Sequence, residues 1–317
     1  MSPQDNEDIE RQATKFKRVN DQVYELLREE NPDLEVVFVH GLHQQDMNTK
    51  HAFWRTWKMR ASEECWPESL LPKLLQDTST WPWCWNVTDR EYKPRVLSVS
   101  YENKADLSPE GAGTETSDPY LIIENLIHDL IIDAGVGQNG VPVFFVGHDL
   151  GGILIKQFVL KVEVEAATAD STEKRAKLTN FLDNLKSVFF FCTPHYGARA
   201  FDDLVAKLQS KDVNQMLCLM TELYKETARI NMEFGNVRRT RFSTHVFHAA
   251  FETHEGGFHA QVVPEGTARA DADSFYTVGA NHFTACQPEC KMSSQVQKIS
   301  SEMKSILRTV GPRGHAN

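Results

Sequence analysis

No stretch of the 317-residue sequence approaches the roughly 18–20 consecutive apolar residues that a transmembrane helix needs. The mean hydropathy is −0.43. The polar N-terminal segment also lacks the apolar core of a secretory signal peptide. We therefore expect a cytoplasmic protein without stable membrane insertion.

The sequence has fewer basic than acidic residues, with 34 Lys and Arg against 44 Asp and Glu, which gives a net charge of −10. A protein that binds nucleic acid through its phosphates normally has the opposite sign, so we expect no nucleic-acid partner. The cysteine pair Cys286 and Cys290 lacks both zinc-site spacing and a second pair, which favours reduced thiols over a disulfide framework. His245 and His248 would point to opposite faces of a strand, so a shared metal is disfavoured.

Short runs of β-branched and aromatic residues recur along the chain, as is typical of strands buried on both faces. They span 35–40, 95–100, 142–146, 187–192 and, more weakly, 244–248 and 274–278. Helical periodicity is found at 7–30, 120–133, 151–163, 174–185, 201–209, 212–232 and 293–308. The alternation predicts an α/β protein with a mostly parallel sheet and helices on both faces.

The same pattern predicts the domain organisation. Residues 1–34 are expected to form an N-terminal helical extension, and 35–310 a single α/β domain. Within that domain, 195–243 is predicted to be a helical insertion over the active site, and 311–317 a short tail.

One segment carries the clearest chemical signal. A buried strand runs into Gly147-His148-Asp149-Leu150-Gly151 and then into an apolar helix, which is the Gly-x-nucleophile-x-Gly arrangement of a nucleophile elbow. Small residues at the glycine positions let strand and helix approach closely, and the strained turn pushes the central side chain into the pocket. The start of the helix supplies backbone N–H groups and positive dipole.

From about residue 35 to 290 the chain resembles the serine-active-site-containing protein family of α/β-hydrolases, particularly its lipase-like members. The resembling pieces are VVFVHGL, CWPESLLPKLL, RVLSVSY, AGVGQNGVPVFFVGHDLGGILIKQFVL, VFFFCTPHYGAR and FYTVGANHFTACQP. The resemblance implies an α/β-hydrolase fold, a nucleophile at Asp149 and a catalytic histidine at His282. It places the acid at the end of the strand before the last one, where Glu252 fits, and Asp271 and Asp273 are alternatives. Leu42, after the first strand, and Leu150, after the nucleophile, stand where α/β-hydrolases have their oxyanion N–H donors.

The departure from this family is Asp149, which stands where the family has serine. A carboxylate is a poor nucleophile for ester hydrolysis but can attack a saturated carbon with a strained leaving group. GHDLGG resembles the elbow of epoxide hydrolases and haloalkane dehalogenases, whose aspartate forms an alkyl ester that histidine-activated water hydrolyses. Leu150 stands where those enzymes usually carry a halide-binding tryptophan, which favours epoxide opening over dehalogenation.

Epoxide opening also needs a proton donor for the ring oxygen, and Tyr196, Tyr224 and Tyr101 are the candidates. Four further residues are expected to line the substrate pocket, namely Gly41, His43, His148 and His195. We thus expect a cofactor-free and metal-free epoxide hydrolase acting on a small lipophilic metabolite, with its oligomeric state left open. Two alternatives remain: a catalytically silent ligand-binding or signalling protein, and a lipase or esterase whose serine has been replaced.

Overall fold

The structure, a computed structural model, describes most of the chain. The described residues are 9–41, 51–77, 90–101, 119–197, 225–251, 262–269 and 272–310. The predicted helix at 201–209, the tail and the predicted site residues Leu42, His43, Tyr224 and Glu252 lie outside them.

A single eight-stranded sheet forms the centre of the described structure. Its strands are β1 (Lys17–Arg18), β2 (Val23–Leu27), β3 (Leu34–Val39), β4 (Pro94–Val99), β5 (Val143–His148), β6 (Leu185–Phe191), β7 (Ser243–Ala249) and β8 (Ser274–Val278). Their order across the sheet is β1-β2-β4-β3-β5-β6-β7-β8. β1, β2 and β4 pair antiparallel, and every other neighbouring pair is parallel. The six predicted strands and the mostly parallel sheet are confirmed.

Helices connect the parallel strands. They are α1 (Ala52–Arg55), α2 (Trp66–Ser69), α3 (Leu71–Gln76), α4 (Pro119–Leu126), α5 (Leu150–Thr168), α6 (Thr172–Asn184), α7 (Thr227–Arg238), α8 (Glu265–Ala268) and α9 (Ser294–Val310). A π-helical segment, Ile127–Asp133, continues α4. The helices predicted at 120–133, 151–163, 174–185 and 293–308 are therefore confirmed within a few residues. Among the described helices, none is long and apolar enough to cross a membrane.

The N-terminal region differs from its prediction, because only 9–13 are helical and β1 and β2 follow. The apolar residues whose spacing suggested a helix are instead buried by a strand that pairs within the sheet. Val23 pairs with Val99 of β4 and is fully buried. The extension predicted as helical over 1–34 is thus, in its described part, mainly the antiparallel edge of the sheet.

The core has two layers, one on each face of the sheet, because successive strand residues point to opposite sides. Phe145 and Phe190 face the layer covered by α4, α5, α6 and α7. Phe144 and Phe189 face the other layer, which contains three buried tryptophans and the apolar side of α9. The strands are covered on both sides, which explains their unbroken apolar runs.

A buried ion cluster ties the antiparallel edge to the parallel sheet. Arg95 of β4 donates to Glu25 of β2 and to Glu35 of β3, each at 2.9 Å. The second Glu35 oxygen accepts the Gly137 backbone N–H at 2.8 Å, and Arg95 also donates to the Ala134 carbonyl at 2.8 Å. Both carboxylates are nearly inaccessible to water, and Arg95 supplies the counter-charge that offsets the cost of burying them.

Replacing Arg95 with methionine is expected to lower the free energy of unfolding by about 3–5 kcal/mol, because two buried carboxylates lose their counter-charge. The matched control is Arg229→Met, at an exposed position of α7, whose ion pairs with Glu226 and Glu233 are solvated and contribute at most about 1 kcal/mol. Urea denaturation measures both. Equal losses in the two variants would contradict this account of the cluster.

Candidate active site

The backbone at Asp149 is strained. Asp149 joins β5 to α5 with φ 50° and ψ −122°, and such positive φ costs roughly 1–2 kcal/mol in a residue with a side chain. Its N–H donates to the Phe191 carbonyl of β6 at 2.9 Å, which helps hold the turn. The strain aims the carboxylate away from the strand, as predicted for the central residue of a nucleophile elbow.

Close packing around the elbow explains its glycines. A Cβ atom on Gly151 would lie 2.2 Å from the Val39 carbonyl oxygen, and one on Gly152 would lie 2.1 Å from Thr193 Oγ1. A Cβ atom on Gly147 would likewise collide with α5, because it would lie 2.9 Å from Gly152 Cα. The start of α5 is thus pressed between β3 and the segment after β6, which places the Leu150 N–H beside Asp149.

The structure brings Asp149 and His282 together. Asp149 Oδ1 lies 3.4 Å from His282 Nε2, and both side chains are buried. His282 begins the turn after β8, where Asn281 Oδ1 accepts the Thr284 backbone N–H at 2.9 Å and fixes the chain direction. Two residues 133 positions apart in sequence therefore meet at the carboxyl end of the parallel strands.

The two groups hold each other charged. Burial would raise the pKa of the Asp149 carboxyl, but its contacts, chiefly with His282, outweigh that effect and lower the pKa to about 2. Burial would lower the pKa of the His282 imidazole, but Asp149 and neighbouring Cys192 raise it to about 10. At neutral pH the site holds a carboxylate and an imidazolium.

His148, inside the elbow, contacts the backbone of His282. Its Nε2 lies 2.9 Å from the His282 carbonyl oxygen, so the Nε2 proton is donated there. Burial, and then the His282 charge, lower the pKa of His148 to about 4. His148 is therefore neutral at pH 7 and orients the backbone of His282.

The two Asp149 oxygens have different surroundings. Oδ1 faces His282, whereas Oδ2 is the oxygen that a Cβ atom on Gly41 would meet at 2.9 Å. The Leu150 backbone N–H contributes a hydrogen bond to the carboxylate. One oxygen thus faces the histidine and the other faces the turn after β3, which is the side where the second oxyanion donor, Leu42, is predicted.

Tyr101 holds the turn that carries Gly41. Its hydroxyl donates to the His40 carbonyl at 2.5 Å, and the two rings stack with centroids 4.1 Å apart. Burial, reinforced by the Asp149 charge, raises the pKa of Tyr101 far above its usual value. Burial is also the main reason that the pKa of His40 falls to about 4. Tyr101 therefore lies near the carboxylate, but its proton is already engaged with a carbonyl.

Two further predicted site residues, Tyr196 and His195, have different surroundings. Tyr196 is about half exposed, in the turn after β6. His195 is fully buried, and its Nδ1 lies 2.6 Å from Nζ of Lys156 on α5. Asn231 of α7 joins this cluster by accepting from Lys156 and donating to the His195 carbonyl. His195, expected in the substrate pocket, thus lies in a buried polar link between α5 and α7.

The acid partner of His282 is not found among the described residues. His282 Nδ1 is buried and has no hydrogen-bond partner within that part of the chain. Asp273 precedes β8, at the opposite edge of the sheet, where it binds Arg238 and the Thr244 backbone N–H, each at 2.8 Å. Asp273 is therefore unsuited to the role, whereas Glu252 and Asp271 lie outside the described residues.

Sequence reasoning missed Cys192. This residue follows β6, is buried, lies beside His282 and has φ 47°. A signal was available, because its strand was predicted and the carboxyl ends of neighbouring parallel strands share one edge of the sheet.

Away from the elbow, one group of described side chains has ligand atoms close enough for a metal. His128, Asp129 and Asp133 lie on the π-helical segment, with those atoms within 4.8 Å of one another. Acidic groups of this kind are common on protein surfaces without an ion, and we assign no metal to it.

Known proteins are similar to this chain at low sequence identity. No protein-family model matches the chain. It is 24% identical over 285 residues to protein SERAC1 of Bos taurus, covering 86% of this chain and 39% of the relative. It is 28% identical over 268 residues to protein SERAC1 of Danio rerio, covering 81% and 36%. The chain thus spans about two fifths of the length of these curated relatives.

Among solved structures, the chain is similar to the mature lipase BlEst2 of Bacillus licheniformis. The TM-score is 0.50 at 14% identity, covering 89% of this chain and 97% of the lipase. The predicted α/β-hydrolase fold is confirmed.

The charge state of His282 can be measured directly. In the wild type its imidazole is expected to keep its proton until the pH approaches 10, while His40 and His148 stay neutral down to about pH 4. In Asp149→Asn the ion-pair contribution is lost and burial favours neutral imidazole, so the titration midpoint should fall by more than about 2 pH units.

Histidine-selective isotope labelling and NMR titration measure this midpoint, and His282→Gln assigns the signal. An unchanged midpoint in Asp149→Asn would show that Asp149 does not control the His282 proton.

Proposed function

We propose that the chain is a hydrolase that opens an epoxide on a small lipophilic molecule through a covalent ester of Asp149. The observation that carries the proposal is the divided environment of the carboxylate, with Oδ1 on His282 and Oδ2 towards the oxyanion turn. An ester formed at such a carboxylate would already have its carbonyl oxygen beside backbone N–H donors.

The charge state of the site favours a carboxylate nucleophile. A serine nucleophile would need a neutral histidine as its base. A carboxyl group with a pKa of about 2 is already ionised and needs no base. Asp149 can therefore attack a strained ring carbon directly, forming a C–O bond while the ring C–O bond breaks.

Attack also resets the histidine. Once Asp149 is esterified, its negative charge is gone, and burial then favours the neutral imidazole of His282. The imidazolium proton passes to the ring oxygen, which a tyrosine stabilises by a hydrogen bond. Of the three predicted donors, Tyr196 and Tyr224 are proposed for this role, because the Tyr101 hydroxyl already donates to the His40 carbonyl. Neutral His282 then removes a proton from water, and the hydroxide attacks the Asp149 carbonyl carbon and releases a diol.

The predicted supporting residues complete this scheme. The Leu150 N–H and the predicted Leu42 N–H stabilise the tetrahedral oxyanion. Glu252 is the proposed partner of His282 Nδ1, which has no hydrogen-bond partner among the described residues, and would hold the imidazole towards Asp149. The reaction is proposed to need no metal or organic cofactor.

Trapping the ester tests the proposal. In His282→Gln, attack by Asp149 is preserved while hydrolysis of the ester should slow by about 10²–10⁴-fold. Intact mass after exposure to terpenoid, fatty-acid and aryl epoxides should therefore rise by one substrate, on the peptide that contains Asp149. The control is Asp149→Asn combined with His282→Gln, in which the gain should vanish.

Circular dichroism confirms that both variants remain folded. A gain that survives Asp149→Asn would exclude Asp149 as the nucleophile. Saturable binding of these epoxides, without an adduct or turnover, would favour the silent ligand-binding alternative.

A second candidate, a lipase-like esterase with its serine replaced, is favoured by the elbow backbone. The positive φ of Asp149 and the adjoining Leu150 N–H are features that a serine nucleophile also requires. The similarity to SERAC1 proteins and the lipase resemblance are compatible with this function. If it is correct, Asp149→Ser should gain hydrolysis of p-nitrophenyl esters at least about tenfold over wild type, measured by absorbance. Asp149→Ala is the matched control, and equal rates in the two variants would argue against this candidate.

A further inference from the structure

The backbone of Asp149 places its own side chain against the next peptide nitrogen. At ψ −122° the Leu150 nitrogen eclipses the Asp149 Cβ when the residue is viewed along its Cα–C bond. The Leu150 N–H opens α5 and so has no partner inside the helix. The Leu150 nitrogen and the side-chain carbon of Asp149 therefore lie within reach of each other.

A bond between the Leu150 nitrogen and Asp149 Cγ would close a five-membered succinimide ring. Closure requires that nitrogen and Cβ to lie on the same side, and a φ of 50° with a ψ of −122° is outside the allowed regions for most residues. The fold already holds Asp149 there, because Gly151 and Gly152 pack the start of α5 closely against β3 and Thr193. The cost of reaching the geometry of attack is therefore part of the folded structure.

The chain offers an internal contrast at Asn139, the only asparagine in the sequence that precedes a glycine. Asn139 and Gly140 both have positive φ, and the Val141 N–H donates to the Gln138 carbonyl at 3.1 Å, so the four residues form a type I′ turn. In such a turn the Gly140 nitrogen lies on the side opposite to the Asn139 Cβ. An unhindered nitrogen is present here, but the fold holds it in the wrong geometry for ring closure.

We propose that residue 149 is a modification site, where the Leu150 nitrogen attacks the side-chain carbon and forms a succinimide whenever that carbon carries a leaving group. A free carboxylate carries none, so resting Asp149 is stable. The ester of the proposed function does carry one, and for that ester the inference rests on the proposed function. Attack by the Leu150 nitrogen then competes with attack by water.

The atoms balance with water as the only co-reactant. The N–Cγ bond forms, the bond from Cγ to the ester oxygen breaks, and the amide proton ends on the departing diol. Water then opens the ring at either carbonyl and gives aspartate or isoaspartate. Isoaspartate carries the backbone through Cγ and cannot form the elbow, so the enzyme inactivates itself in a fraction of its turnovers.

Asp149→Asn tests the geometry without any epoxide, because ammonia is then the leaving group. This variant, shown to be folded by circular dichroism, is incubated with and without concentrated urea and analysed by peptide mapping. In the folded variant, residue 149 should lose ammonia and then give isoaspartate at least about tenfold faster than Asn139. In urea the order should reverse, because unfolding removes both geometries and leaves only the hindrance of the leucine side chain.

Asn125 is the matched control, because it also precedes a leucine but lies exposed inside helix α4. It should stay intact in the folded variant and react as slowly as residue 149 in urea. The proposal is overturned if residue 149 of the folded variant reacts no faster than Asn125. It is also overturned if that residue becomes aspartate with no succinimide or isoaspartate, because direct attack by water gives aspartate alone.

Wild type reports on the ester. During epoxide turnover, activity should fall in step with isoaspartate at residue 149, whereas enzyme kept without epoxide should retain its activity. Sustained turnover with no isoaspartate would contradict self-inactivation. A complete lack of epoxide turnover would instead contradict the proposed function, and the result for Asp149→Asn would still decide whether the Leu150 nitrogen attacks residue 149.

Discussion

The buried contact between Asp149 and His282 is the interaction on which the site depends. Each group would be neutral if buried alone, since a low-dielectric interior penalises a single charge far more than a matched pair. The two residues are far apart in sequence, so only the assembled sheet keeps them 3.4 Å apart. The close packing of Gly151 on β3 and of Gly152 on Thr193 fixes one partner, and the turn after β8 with the carbonyl bond from His148 fixes the other. The charge of the site is therefore a property of the whole fold.

Most of the fold could be predicted from local pattern, because parallel strands buried on both faces leave unbroken apolar runs. The exception is instructive. Val23 and Leu26 have a spacing that also fits a helix. Nothing between residues 7 and 30 indicates that this segment pairs with β4. The Glu25–Arg95 contact that stabilises this edge joins residues 70 positions apart. Helical periodicity in a short polar segment cannot report such a partner, so tertiary context decided the outcome.

The site was predictable in part for the same reason. Asp149 lies in a strand–turn–helix motif that carries its own geometry, and His282 lies in a segment that resembles a known family. Tyr101, Lys156 and Cys192 act through residues that are distant in sequence, namely His40, His195 and His282. The position of Cys192 at the same sheet edge as Asp149 could have been predicted, because β5 and β6 are neighbouring parallel strands. Its positive φ could not be predicted. Outside a recognisable motif such as the elbow at Asp149, backbone strain at a residue other than glycine leaves no mark in the sequence.

The buried link of Lys156, His195 and Asn231 has a mechanical consequence. It joins α5, whose first turn carries the elbow, to α7, which is the described end of the segment predicted to cover the site. Separating the two helices would remove Asn231, so the buried Lys156 amine would lose one of its two partners and the His195 carbonyl would lose its donor. That desolvation cost is large compared with thermal energy. The elbow at the start of α5 and the described end of the segment predicted to cover the site are therefore coupled through this link, and the two helices cannot separate without that cost.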